Sequence, residues 1–203
     1  MEKGKQSFIA EARRDQIIEA AIKTLDEIGY VKSSLSQIAK RAGISTALIS
    51  YHFSNKEDLM NHLLTKLLEE STSYIMDHVL AANSAQEKLN AFIRASLSYQ
   101  NTHPAHNTAL IEIVFNARTP ENIPYYKLVD DEEEDPILAE LKLILYEGQK
   151  SGEFTSFHVD VMANVIQGAI NEYMFTNPVL TKKVDLSTYI NEVVHIISSA
   201  VKK

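Results

Sequence analysis

Apolar positions recur at steps of three and four residues through nearly the whole chain. Ile18, Ala21, Ile22, Leu25 and Ile28 form one such stripe, the pattern of a helix with a single buried face. Gly29 stands where this first helix should stop. Ser34 and Gln37 have capping-box spacing and open a second helix over Leu35 to Ala42. Ser45 can cap a third, about Thr46 to His52. Ser54 and Glu57 repeat the capping-box spacing before a long helix, about Lys56 to Leu80. Ser84 and Glu87 do the same before a fifth helix that ends ahead of Pro104. Residues 105–117 read as helical, and Thr119 to Tyr126, with Pro120 and Pro124, as irregular. An acidic run, Asp130 to Asp135, precedes Pro136, which suits the first turn of a helix reaching about Ser151, with Gly152 as its stop. Val159 to Phe175 and Leu186 to Val201 are the last two helices, separated by Asn177-Pro178. No strand-like alternation persists, and there is no internal repeat. The predicted fold is all-α with about nine helices. A three-helix head, residues 1–55, precedes a larger helical body, residues 56–203.

Composition adds boundaries rather than detail. The 203 residues are 45% hydrophobic and 23% charged, as in globular domains. No run of apolar residues reaches the length of a membrane span, and MEKGKQSFIAEARR has no apolar core for a secretory signal. The cytoplasm is the default compartment. The absence of cysteine excludes disulfides, thiolate metal sites and a Cys nucleophile. The net charge of −7 is uneven. Residues 1–60 hold nine Lys/Arg against eight Asp/Glu, and the remainder holds eleven against nineteen. A near-neutral head on an acidic body suits a protein whose head alone meets phosphate.

The segment Ser34 to Phe53, SLSQIAKRAGISTALISYHF, carries the most chemistry. Two short helices joined at Gly43 have the layout of a helix-turn-helix, whose second helix enters a DNA major groove. Ile38, Ala39, Ala42, Ile44 and Ile49 supply the small and apolar seam such a pair needs. Gly43 tolerates the positive φ of the turn. Thr46, Ser50, Tyr51 and His52 offer hydrogen-bonding groups to base edges, and the Ala47 methyl can meet a thymine methyl. Ser34 and Ser36 lie at a helix N-terminus, where free N–H groups attract phosphate; Gln37 and Ser45 flank the same surface. Lys56 is placed for a phosphate. A small packing unit with no DNA role shares this bare geometry.

The residues around the segment narrow the choice. Ile17, Ala20, Ala21, Leu25 and Gly29-Tyr30, then Ile38-Ala39, Ala42-Gly43-Ile44-Ser45, His52-Phe53 and Lys56-Glu57-Asp58-Leu59, lie in one ungapped stretch. From Arg13 to Leu59 the chain resembles the tetracycline-repressor (TetR) family of bacterial regulators. Glu147-Gly148-Gln149 and Gly152-Glu153-Phe154 look like that family's link between two body helices. Ser50 departs from the pattern, because the family commonly has Tyr there. The resemblance implies a ligand-responsive DNA-binding transcriptional regulator: a homodimer on a palindromic operator, most often a repressor released by a small molecule. Two heads must then sit about 34–36 Å apart to enter successive major grooves. Ligand in the body would shift the fourth helix and change that separation.

The body offers a dimer face and a sensor. On the last two helices, Val161, Val165, Gly168, Ala169 and Glu172, with Ile190, Val193 and Ile197, are the candidate interface, a pair of helices from each chain making a four-helix contact. Gly168 is costly in mid-helix and suits a close helix approach. The same stripes would also serve packing inside one chain. Tyr99, Phe115, Tyr146 and Asn171 are the candidate ligand-pocket residues, chosen because pockets mix apolar walls with a few polar anchors; each could equally be core. His103 and His106 flank Pro104 without a clear third ligand, and the acidic run lacks the glycine and alternation of a calcium loop. No metal and no cofactor are expected. HExxH, GxSxG, a phosphate-binding glycine loop and a dinucleotide fingerprint are all absent, which argues against an enzyme. The expected partners are double-stranded DNA, a second copy of the chain and a small-molecule effector, with no membrane. A transcriptional activator of the same fold, or a helical adaptor that binds protein instead of DNA, is the alternative.

Overall fold

The computed structural model describes residues 2–127, 135–175 and 182–203. Among them run nine α-helices: α1 (Glu2–Lys32), α2 (Leu35–Ala42), α3 (Thr46–His52), α4 (Lys56–Leu80), α5 (Ala85–Thr102), α6 (Pro104–Asn116), α7 (Pro136–Ser151), α8 (Val159–Met174) and α9 (Leu186–Val201). Strand pairing among the described residues is limited to two isolated bridges, Arg118 with Pro124 and Phe154 with Lys202. The all-α expectation therefore stands, with bounds that agree closely from α2 to α9. The acidic residues 130–134 and the Asn177-Pro178 break lie outside the described residues.

Helix ends fall where local hydrogen bonding puts them. Ser84 and Glu87 form a complete capping box on α5. Asp135 accepts from the Ile137 amide at 2.9 Å and opens α7 ahead of Pro136. The start of α4 corrects the expected Ser54/Glu57 pair. Asn55 Oδ1 accepts from the Asp58 amide at 2.8 Å, and Asp58 accepts from the Ser54 amide at 2.7 Å. The cap lies one residue later, because Asn and Asp reach these amides as well as Ser and Glu do. At Gly29 the backbone leaves helical geometry (φ 74°, ψ 171°), and one further turn runs to Lys32.

The chain divides into two units, Met1–Leu68 with Pro104–Val129, and Glu69–His103 with Asp130–Lys203. The first differs from the expected head of residues 1–55, because it takes in the start of α4 and all of α6. Its core joins Ile17, Ala21 and Leu25 of α1 to Ile38, Ile49, Phe53, Leu59, Leu63, Ala109 and Ile113. The second packs α5, α7, α8 and α9 around Phe92, Ile93, Leu97, Leu141, Ile144, Leu145, Ala163, Ile166 and Ile170.

That second core revises half of the expected dimer face. Ile190, Val193 and Ile197 are 7%, 8% and 4% exposed within their own unit and belong to its core. Ala169 packs on the same core, and its carbonyl accepts from the Tyr189 hydroxyl at 2.7 Å. An apolar stripe cannot serve two interiors at once, and here the chain's own helices take it. Val161, Val165, Gly168 and Glu172 stay exposed on α8, and Ile196 on α9.

The turn after α7 explains a run of small and polar residues. Gly152 takes a left-handed conformation (φ 80°), and the Phe154 amide bonds back to Gly148 at 2.9 Å. The Phe154 ring then lies over Gly148, where a Cβ would come within 2.1 Å of it. Glu153 accepts from the Ala85 and Gln86 amides, at 3.3 and 3.1 Å. These bonds at the α5 N-terminus, the Gln86 amide first, lower its carboxyl from the ordinary range. Gly148→Ala should cost about 2 kcal/mol of stability through overpacking, measured by urea denaturation; an unchanged midpoint would show that the ring swings away freely.

Candidate nucleic-acid interface

The α2–α3 segment accounts for its own backbone polar groups, and this leaves one face of α3 available. The Ser34 hydroxyl accepts from the Gln37 amide at 3.3 Å and donates to Gln37 Oε1 at 2.8 Å. Gly43 is left-handed (φ 68°), and its N–H points back to the Ala39 and Lys40 carbonyls. The Ile44 amide reaches Ala39 O at 3.0 Å, which completes a Schellman closure. Ala42 O accepts from Gln16 Nε2 of α1 at 2.7 Å. The Ser45 hydroxyl accepts from the Leu48 amide at 3.2 Å. Ile38, Ala39 and Ile49 are buried beneath, as the seam requires.

On the outer side Thr46, Ala47, Ser50 and Tyr51 are exposed, Tyr51 at 81%. His52 is half-buried and meets Tyr51 edge-on, with ring centroids 5.1 Å apart. Desolvation lowers the His52 pKa first, and the Arg14 and Arg13 charges add to it. A neutral imidazole offers one donor and one acceptor nitrogen, which suits a base edge. Phe53 is buried behind, with the Arg14 guanidinium 5.8 Å from its ring centre. Ser34, Ser36, Gln37 and Ser45 are exposed at the two helix starts. The structure thus gathers nine of the ten expected DNA contacts on the α2–α3 surface.

Lys56 stands apart. Its ammonium donates to Tyr30 O at 2.5 Å and Ser33 O at 2.9 Å and lies 4.0 Å from the Tyr30 ring centre. Burial lowers its pKa from the ordinary lysine range. Two of its three N–H donors are thus committed inside the head, where they hold the end of α1 to the start of α4.

The opposite side of the Tyr30 peptide is held by a residue that the sequence did not advertise. Glu112, on α6, accepts from the Tyr30 amide at 2.7 Å, and Asn116 Nδ2 steadies the same carboxylate oxygen at 3.2 Å. A Cβ at Gly29 would come 3.0 Å from that oxygen. The contact spans 82 positions, so no local pattern could have revealed it.

The pocket candidates scatter. Tyr99 is buried on α5 and Asn171 half-buried on α8, both in the second unit. Tyr146 is 54% exposed on α7 and does not line the interior. Phe115 is 45% exposed in the first unit, where it stacks on Tyr126 with ring centroids 5.6 Å apart. These two, expected to line a ligand pocket, are surface aromatics of α6 and α7 in this structure.

Residues 17–63 match the family described as bacterial regulatory proteins, tetR family. Over these residues the chain is similar to that family. The regulator BetI of Escherichia coli is 36% identical over 87 residues, 40% of this chain and 43% of that protein. The aligned stretch thus spans less than half of the relative. Among solved structures, the transcriptional regulator FadR of Bacillus subtilis, in complex with stearoyl-CoA, superposes with a TM-score of 0.77. It is 27% identical and covers 91% of this chain and 97% of its own. FadR of Bacillus halodurans, at 23% identity, has the same TM-score and shares the fold over 91% of this chain and 94% of its own. The tetR match coincides with the core half of α1, all of α2 and α3, and the start of α4, and it includes both ends of the Lys56 bonds to Tyr30 and Ser33.

Replacing either side of the Tyr30 clasp should destabilise this tetR-like head. Glu112→Leu leaves the Tyr30 amide without its acceptor and should cost about 1–3 kcal/mol. Glu112→Gln keeps an acceptor oxygen and should recover most of that. Denaturant titration distinguishes them; equal losses in both variants would show that packing, not the hydrogen bond, matters.

Proposed function

We propose that the chain is a ligand-responsive, homodimeric transcriptional repressor that binds a palindromic operator in bacterial cytoplasm. Residues 1–55 would read DNA, and residues 56–203 would supply dimerisation and effector binding. One observation carries the DNA reading. The exposed face of α3 presents Thr46, Ala47, Ser50, Tyr51 and His52 over a buried apolar seam, while the turn behind it consumes its own hydrogen bonds. A packing unit without a partner has no need to hold that face so firmly. Thr46, Ser50, Tyr51 and His52 would meet base edges, the Ala47 methyl a thymine methyl, and Ser34, Ser36, Gln37 and Ser45 the backbone. Lys56 would use its third N–H for a phosphate.

The likeness to the Bacillus subtilis regulator solved with stearoyl-CoA supports a fatty acyl-CoA as the effector class. The exposed face of α8 supports the dimer. Val161 and Val165 are 60% and 54% exposed, and with Asp160 and Asn164 they border an open groove of about 400 Å³. Gly168, one turn on, has no atom of another described residue within 4 Å of a would-be Cβ. A second copy could therefore approach this helix closely.

DNA flanking the chain's own gene should bind in a salt-dependent manner, read by fluorescence anisotropy, and stearoyl-CoA should release it. Binding absent from every such fragment would favour a protein adaptor. Lys56→Ala should weaken all sequences alike and lower the salt slope by about one unit; an unchanged slope would confine Lys56 to bracing the fold. A chain carrying Val161→Glu and Val165→Glu should be monomeric by light scattering at micromolar concentration, and its operator affinity should fall with dimerisation. A stable dimer in that variant would place the interface elsewhere.

A further inference from the structure

Helix α5 of the second unit carries a buried hydroxyl with no hydrogen-bond partner among the described residues. Tyr99 of α5 is 7% exposed, and its oxygen is fully shielded yet meets no hydrogen-bond partner among the described residues. Leaving a buried hydroxyl unpaired is costly, so its retention asks for an explanation. The ring is firmly held. It stacks on His103 at 4.3 Å and 17°, and lies 5.4 Å from Tyr74, which in turn lies 4.6 Å from His78. This row of rings runs from α4 to α5. Tyr99 also stands outside the apolar cluster that Phe92, Ile93 and Leu97 of the same helix join. Burial, with the Glu70 charge adding, pushes the phenol up to about 12, so it is a hydrogen-bond donor at neutral pH. On α8, which packs against α5, Gln167 Oε1 is a second shielded atom with no partner among the described residues.

We propose that the Tyr99 hydroxyl anchors the effector by donating a hydrogen bond to the carbonyl oxygen of a fatty acyl thioester. The proposal rests on the acyl-CoA reading above and adds which atom recognises which. The surroundings favour a neutral acceptor over a carboxylate. After burial, the negative charge of Glu70 adds to what raises the phenol, and a negative charge on that side disfavours a free fatty acid's anionic head. A thioester carbonyl accepts the same hydrogen bond without that penalty.

Calorimetric titration of the full chain tests this with three probes: stearoyl-CoA, its S-octadecyl thioether counterpart lacking the carbonyl, and stearate. Tyr99→Phe should weaken stearoyl-CoA about tenfold, the worth of one buried hydrogen bond, and leave the thioether unchanged. Stearate should bind wild type more weakly than stearoyl-CoA. Without ligand, Tyr99→Phe should melt no lower than wild type, because the hydroxyl gives up no bond. Equal losses for thioester and thioether, no loss at all, or a lowered melting point in the unliganded variant would overturn the anchor. Wild type that binds operator DNA but not stearoyl-CoA would overturn the ligand assignment and leave the DNA reading standing. A tenfold, thioester-specific loss in a chain that binds no DNA would do the reverse.

Discussion

The peptide unit of Tyr30 is the point on which the first unit turns. Gly29 takes the chain out of helical geometry, and beyond such a break the next amide and carbonyl need new partners. Glu112 accepts from the amide, while Lys56 and the Ser33 hydroxyl donate to the carbonyl at 2.5 and 2.8 Å. The two charged partners come from α6 and α4, far away in sequence. A break that serves to turn the chain toward α2 thereby becomes the place where α1, α4 and α6 are joined. This is why the compact unit around the head includes α6, and why a boundary drawn after residue 55 from helix pattern alone stops short of it.

The same accounting explains why α3 can present its outer face. Seven residues form too short a helix to be stable alone. It is held from below by Ile49 and Phe53 and at its start by Ser45. Gly43 and Gln16 close the carbonyls at the end of α2. With those groups satisfied locally, the hydroxyls of Thr46, Ser50 and Tyr51 have no structural task in the described hydrogen bonding. Rigidity of the support and availability of the surface are two results of one arrangement.

What could be read in the sequence follows from the range of the forces involved. Helix starts and stops at Ser34, Ser45, Ser84, Pro136 and Gly152 depend on neighbours within a few residues, and they were legible. The shift from Ser54/Glu57 to Asn55/Asp58 shows the limit even there, since adjacent residues of equal capping ability compete. The stripe Ile190, Val193 and Ile197 was legible as buried, but not as buried by its own chain, because periodicity names a face and not its partner. Phe115 and Tyr146 were misjudged on the same ground: an aromatic on a helix does not declare which side it faces. Glu112 was beyond reach, because its meaning depends on a contact across 82 positions.

Charge within the head bears on how such a surface would hold DNA. Arg41 forms a bidentate pair with Glu27, Lys66 binds Asp15 at 2.5 Å, and Lys56 is drawn to two carbonyls. Each of these cations gives up part of its attraction for phosphate. With Arg41, Lys56 and Lys66 engaged internally, beside the exposed Lys23, Lys32 and Lys40 part of the hold on DNA would be carried by oriented N–H groups and hydroxyls at the starts of α2 and α3. Such contacts are directional and release fewer counterions than ammonium groups do. They fix register on the duplex well, but they attract it weakly from a distance. On the proposed reading, the geometry of the α2–α3 surface would count for more than net charge in selecting DNA, and pairing two heads would supply affinity that one head lacks.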